Sequence, residues 1–209
     1  MPTPEQILSG LKEIASGWGA LAILWHGYFG VALLVLAAGV RPSTRTAGIL
    51  LGLPILSVSA LAWASSNPFN GTFFAALGIA LLLISVRLPR TAVRPAPVWA
   101  VILGGFMFSF GWVYPLFLES PSLLTYLYAA PTGLIPCPTL SIVIGLTVIL
   151  SGLGSRLFSL LLGVSGVFYG IFGSARLGVM IDLVLLAGAL LILFLALSNK
   201  QIPATAVEG

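Results

Sequence analysis

Seven apolar runs follow one another between Trp18 and Leu197, and no water-soluble fold can bury them all. The runs are Trp18–Val40, Thr46–Ser65, Gly71–Val86, Val98–Leu118, Thr139–Leu153, Leu157–Phe172 and Leu177–Leu197. A helical span takes about 20 apolar residues, and fewer where the bilayer thins or one end is covered. The third, fifth and sixth runs are short on this measure, and six spans with one re-entrant piece is the competing count. Composition names the solvent: 59% of the 209 residues are hydrophobic and 7% are charged. A soluble domain carries roughly a quarter charged residues. The expected fold is an all-α, polytopic transmembrane helix bundle of seven spans, with the lipid bilayer as its principal partner.

The cations orient this bundle. Arg41 and Arg45 follow the first run, Arg87, Arg90 and Arg94 the third, Arg156 the fifth and Lys200 the seventh. These are alternate links, so all fall on one side. The positive-inside rule makes that side cytoplasmic, with the N-terminus outside and the C-terminus in the cytoplasm of a multi-pass protein of the cell (inner) membrane. Trp63, Phe69, Tyr114, Tyr126 and Tyr128 collect at the outer boundary and Trp99 at the inner one, as an aromatic belt requires. The net charge of +4 does not indicate nucleic acid, because no basic run is interleaved with aromatics.

The chain divides into three parts. Over residues 1–17, Thr3-Pro4-Glu5-Gln6 has the form of a capped helix start. Ile7, Leu8, Leu11, Ile14, Ala15 and Trp18 then fall on one stripe, which predicts an amphipathic helix lying in the interface. Glu5, Lys12 and Glu13 set this segment apart from a cleaved signal peptide. Residues 18–197 form the membrane domain, and 198–209 are a polar tail predicted to be disordered. Small residues mark packing faces: Ser159, Gly163, Gly166, Gly170 and Gly173 in the sixth run, Ser141, Gly145 and Gly152 in the fifth. Such seams supply attraction by close backbone approach. The expectation is that the fifth and sixth spans pack on each other within the chain; a homo-oligomer built on that face is the alternative.

Ahead of the fifth run, Tyr126–Thr139 holds Pro131, Pro136 and Pro138 and the single cysteine. Proline lacks an amide hydrogen and pushes the preceding residue out of helical geometry. Leu134 and Ile135 are nonetheless too apolar for a solvated loop. A non-helical segment covered by the bundle is expected, since broken backbone at membrane depth is tolerated only against protein or a wet cavity.

Asp182 is the one acid inside a run, and an intramembrane carboxylate normally faces the bundle interior with a partner. It lies six residues beyond Arg176, about 9 Å along a helix, and His26 lies eight beyond Trp18, about 12 Å. These depths predict an outward-facing polar pocket for a small molecule or ion, with His26 and Asp182 as a proton-sensitive pair. Cys137, Tyr114 and Thr139 complete the set. The bland alternatives are a structural histidine, an aspartate that only pins the bundle and an inert thiol. Cys137 with His26 invites a soft-metal reading, for which Met107 or Met180 would have to supply a further ligand. Glu119 and Arg176 are expected to form a surface ion pair, and Asn67–Gly71 a tight outer turn. The sequence assigns no cofactor. It lacks the last-span lysine of a retinal pigment, zinc-protease and hydrolase signatures and a P-loop, and one histidine excludes bis-histidine haem.

Tyr114-Pro115, Tyr128-Ala129-Ala130-Pro131 and Pro136-Cys137-Pro138-Thr139, with Pro4-Glu5-Gln6, Trp18, Asn67-Pro68 and Asp182, resemble an uncharacterised family of bacterial multi-span integral membrane proteins. The chain departs from that pattern at Leu140, where a second threonine is expected, and at Gly19, where proline is expected. The resemblance implies a fold and no activity. Three functions fit the residues: a small-solute or ion transporter, a binding or sensory protein that holds a metal, haem or lipid, and an intramembrane enzyme acting on lipid.

Overall fold

The computed structural model describes residues 3–118 and 122–198. It is all-helical, 80% helix with no strand among the described residues. The helices are α1 (Pro4–Gly17), α2 (Gly19–Ala37), α3 (Thr44–Ala64), α4 (Pro68–Arg87), α5 (Val98–Val113), α6 (Tyr126–Ala129), α7 (Pro136–Ile149), α8 (Arg156–Ile171) and α9 (Leu183–Leu197). Five stretches are long and apolar enough to cross a membrane: Gly19–Ala37, Thr44–Ala64, Pro68–Arg87, Arg156–Arg176 and Met180–Leu197. The chain thus has the make-up of a multi-pass membrane protein.

Local chemistry explains where the helices start and stop. In α1, the Thr3 hydroxyl accepts from the Gln6 amide at 3.3 Å and the Gln6 side chain accepts from the Thr3 amide at 2.9 Å. Two donors that the helix cannot satisfy are thereby closed. The Glu5 carboxyl is held below its ordinary value by its own backbone amide and the Thr3 hydroxyl, with a smaller contribution from Arg176. Arg176 is therefore near the N-terminal helix; its expected partner Glu119 lies outside the described residues, as does all of the tail except Ser198.

The lengths differ from expectation in an instructive way. Asn67–Gly71 is no turn. Asn67 caps α4 by accepting from the Asn70 amide at 3.1 Å, and Pro68 takes the first helical position, so the third run is a full 20 residues. The apolar helices that stay below span length are α5 and α7, with 16 and 14 residues, whereas α8 and α9 reach it with the turns at 172–176 and 180–182. Pro115 drives Tyr114 to ψ 106° and ends α5 at Val113, well before Leu118. Conversely, α7 begins at Pro136 and not at Thr139, because a proline in the first turn costs no hydrogen bond.

At about 21 Å, α7 is shorter than the roughly 30 Å hydrocarbon thickness. Its surroundings remove the conflict: from Pro136 to Val148 every residue but Cys137 is buried, with α3, α5, α8 and α9 packed around it. Protein, not lipid, is its solvent. Glycines permit the closeness. A Cβ on Gly145 would lie 2.6 Å from the Gly104 carbonyl oxygen, and one on Gly104 would lie 2.7 Å from that of Gly145. The seam on α8 lies within the chain: Gly166 meets Ile144 of α7, the partner expected, but most of the seam faces α9. Gly163 meets Leu193, Gly166 meets Ala189 and Gly170 meets Leu186, all on α9. Sequence spacing identifies a close-packing face and leaves its partner open.

Hydrogen bonds gather the arginine-bearing links at one end. Thr44 donates its amide to Thr91 at 2.9 Å, Val93 to Pro42 at 2.9 Å and Ala96 to Ile149 at 2.9 Å. Arg45 adds a bond to the Leu88 carbonyl at 3.1 Å. The turn at 65–67, the segments 114–118 and 122–135 and the junction 172–182 lie at the other end, where the candidate residues are found.

Candidate functional site

The proline-rich segment is buried, and its backbone is satisfied. From Ala129 to Pro136 every residue is buried. Leu134 and Ile135 both donate their amides to the Pro131 carbonyl at 3.2 Å, and Thr132 donates to Ala130 at 2.7 Å. The Thr132 hydroxyl donates to Gly111 at 2.6 Å, tying the segment to α5. Thr139 closes the loop: its hydroxyl donates to the Ile135 carbonyl at 2.7 Å and accepts from the Gly133 amide at 2.8 Å. Thr139 is thus engaged in holding the backbone. Gly133, at φ 76°, sits so close to the Trp25 ring that no side chain fits.

That scaffold delivers Cys137 to Asp182. The Cys137 thiol donates to Asp182 Oδ2 at 3.1 Å, and the Tyr114 hydroxyl donates to Oδ1 at 2.7 Å. Asp182 is 1% exposed and Tyr114 0%, while Cys137 is partly exposed. Three elements converge: the end of α5, the first turn of α7 and the junction between α8 and α9. Asp182 lies in the first turn of its span, and no continuous helix joins it to Arg176. A π-helical turn over Phe172–Arg176 leads to Gly178, at φ 70°, and a 3-10 turn over Met180–Asp182 precedes α9. The 9 Å depth measured along an unbroken helix therefore does not apply. Gly173, in the π-helical turn, leaves room for the carboxylate, which a side chain there would strike.

His26 is elsewhere. Its Nδ1 lies 2.8 Å from the Ala22 carbonyl oxygen and its Nε2 3.0 Å from that of Trp112, with the Trp112 ring edge-on at 4.7 Å. Both ring nitrogens thus face carbonyl oxygens, which fixes the ring between α2 and the end of α5. The expected His26–Asp182 pair is not made; Tyr114 and Cys137 take that place. Cys137 and His26 likewise sit in separate hydrogen-bonded settings, and no three His, Cys, Asp or Glu side chains cluster to hold a metal among the described residues.

Two further buried polar residues lie beyond those the sequence singled out. Tyr169 on α8 lies within electrostatic range of Cys137, and its hydroxyl donates to Asn70 Oδ1 on α4 at 2.8 Å, both residues being buried. Asn70 and Tyr169 thus form a second buried polar pair, between α4 and α8, besides the Tyr114–Asp182–Cys137 cluster. Asn70 reads as a turn residue in sequence, and Tyr169 as one more aromatic in an apolar run. A depression between α5 and α9 is almost wholly apolar, and one between α2 and α5, where Ser109 is exposed to it, is mainly so. No family model matches the chain, and no curated protein or solved structure does.

Proposed function

We propose that the chain crosses the membrane seven times, with its N-terminus outside and its arginine-bearing links in the cytoplasm. Within that frame, the Tyr114–Asp182–Cys137 cluster is the proton-binding centre of a small-solute transporter. One observation carries this reading: a carboxyl group screened from water receives a phenol and a thiol where two interrupted elements of the bundle meet. An ionised carboxylate accepts hydrogen bonds and donates none, and both oxygens here are served by donors. A charge so buried is costly, and membrane proteins keep such groups where a proton or cation moves. Broken helices beside an intramembrane acid are a recurrent transporter design. Tyr169 and Asn70 form a separate buried hydrogen-bonded pair between α8 and the first turn of α4.

Proton flux tests the reading. The purified protein is reconstituted with a pH-sensitive dye trapped inside the vesicles and a potassium–valinomycin potential applied. Wild type is expected to pass protons, and Asp182→Asn to lose flux at least tenfold while accumulating in the membrane normally. Tyr114→Phe removes one donor and is expected to have an intermediate rate. Unaltered flux in Asp182→Asn, or none in wild type, sinks the proposal.

A further inference from the structure

We propose that Arg41 and Arg94 hold between them the phosphodiester of an anionic phospholipid, where the links at 38–43 and 88–97 are clasped together. Hydrogen bonds build the clasp. Ser43 and Ala92 form an antiparallel bridge, flanked by the Thr44 amide donating to Thr91 and the Val93 amide donating to Pro42, both at 2.9 Å. The Thr44 hydroxyl adds a bond to the Pro89 carbonyl at 2.6 Å. Continued by two residues, this register sets Arg41 opposite Arg94. Each arginine is followed by a proline, Pro42 and Pro95, which holds it in extended geometry and so keeps the register. Thr44 and Val93 are buried, whereas both arginines are exposed.

Like charges directly opposite on paired strands repel. No carboxylate among the described residues offsets them, because Glu5, Glu13 and Asp182 lie at the other end of the bundle. Arg41 donates one bond to the Leu36 carbonyl at 3.1 Å, and the Arg94 guanidinium has no hydrogen-bond partner among the described residues. Arg87 and Arg90, around the start of the same link, add to the positive field. A phosphodiester accepts charge-assisted bonds from both guanidinium groups and turns their repulsion into attraction. The neighbouring side chains indicate its source. Val40, Val86, Val98 and Trp99, close in sequence to these arginines, are apolar and exposed. In a chain of this make-up they meet the bilayer, so the phosphate arrives carrying acyl tails. Basic groups at the ends of membrane helices recognise anionic headgroups in this way. The inference depends on this end meeting a membrane surface, and on neither its side nor proton movement.

Native mass spectrometry of the full chain, released from vesicles holding equal amounts of phosphatidylglycerol and phosphatidylethanolamine, tests it. Wild type is expected to retain phosphatidylglycerol in preference. Arg41→Gln with Arg94→Gln should lower that preference by roughly tenfold. Arg94→Gln alone gives up no hydrogen bond to a described residue, so it leaves the clasp intact, and it should lower the preference by a smaller factor. Arg176→Gln removes the same charge at the other end and should bind lipid as wild type does. A large excess of inorganic phosphate should leave the lipid in place. No preference in wild type, equal preference in wild type and Arg94→Gln, or an equal loss in Arg176→Gln overturns the proposal. Displacement of the lipid by inorganic phosphate would also overturn it, because the occupant would then be a free anion.

Discussion

Gly133 and Thr139 carry most of the burden of keeping a broken backbone inside the bundle. Gly133→Ala places a side chain at φ 76° and against the Trp25 ring. The left-handed conformation alone costs an L-residue about 1–2 kcal/mol, and the collision adds to it. Thr139→Val leaves the buried Gly133 amide without its acceptor, a loss of roughly 1–3 kcal/mol, whereas Thr139→Ser keeps the hydroxyl. Thermal unfolding in a mild detergent should rank the variants accordingly, with Thr139→Ser nearest wild type; a Thr139→Val protein as stable as wild type would remove the capping role. Asp182 and Cys137 are conspicuous in the sequence as a lone acid in an apolar run and a cysteine between prolines. Their partners are not. Tyr114 reaches Asp182 across 68 residues and Tyr169 reaches Asn70 across 99, and no local pattern encodes such distances.

Helix boundaries were legible wherever a proline or cap acts on its own turn, as at Thr3, and less so where the same residues admit two outcomes. Asn67-Pro68 can make a turn or begin a helix, and Pro136 can break a helix or open one; the chain takes the second course each time. Packing faces read well as glycine spacing, and their partners poorly. The α5–α7 contact gives a sharp test. Gly145→Ala forces a methyl group against the Gly104 carbonyl and the Phe108 amide, and overpacking of this kind costs about 1–3 kcal/mol. Gly10→Ala on α1 meets nothing within 4 Å and should be neutral or stabilising by about 0.4–1 kcal/mol. Both are checked by the same unfolding measurement. At the start of α1, the lowered Glu5 carboxyl has a stated pH consequence. Its contribution is complete above 4.5, the ordinary value, and fades as the pH falls through the lowered one. Amide exchange over residues 4–10 should quicken only in that acidic range, and Glu5→Gln should abolish the change.

For the molecule as a whole, alternation of the cationic links predicts sidedness. In a Cys137→Ser background, Ala64→Cys should react with a membrane-impermeant maleimide on intact cells. Ala92→Cys, in the link bonded to residues 42–45, should react only after permeabilisation. Equal labelling of both would refute the orientation. Composition conveyed the solvent and the arginines conveyed an order of links, but neither revealed that one helix would be enclosed by its neighbours. That enclosure bears on how the protein is made. A segment that never contacts lipid cannot be secured by partitioning as it leaves the ribosome. Helices α3 and α5 are synthesised before it, and α8 and α9 after it. Enclosure of that segment is therefore completed only once the hairpin that follows it in the chain has been laid against it.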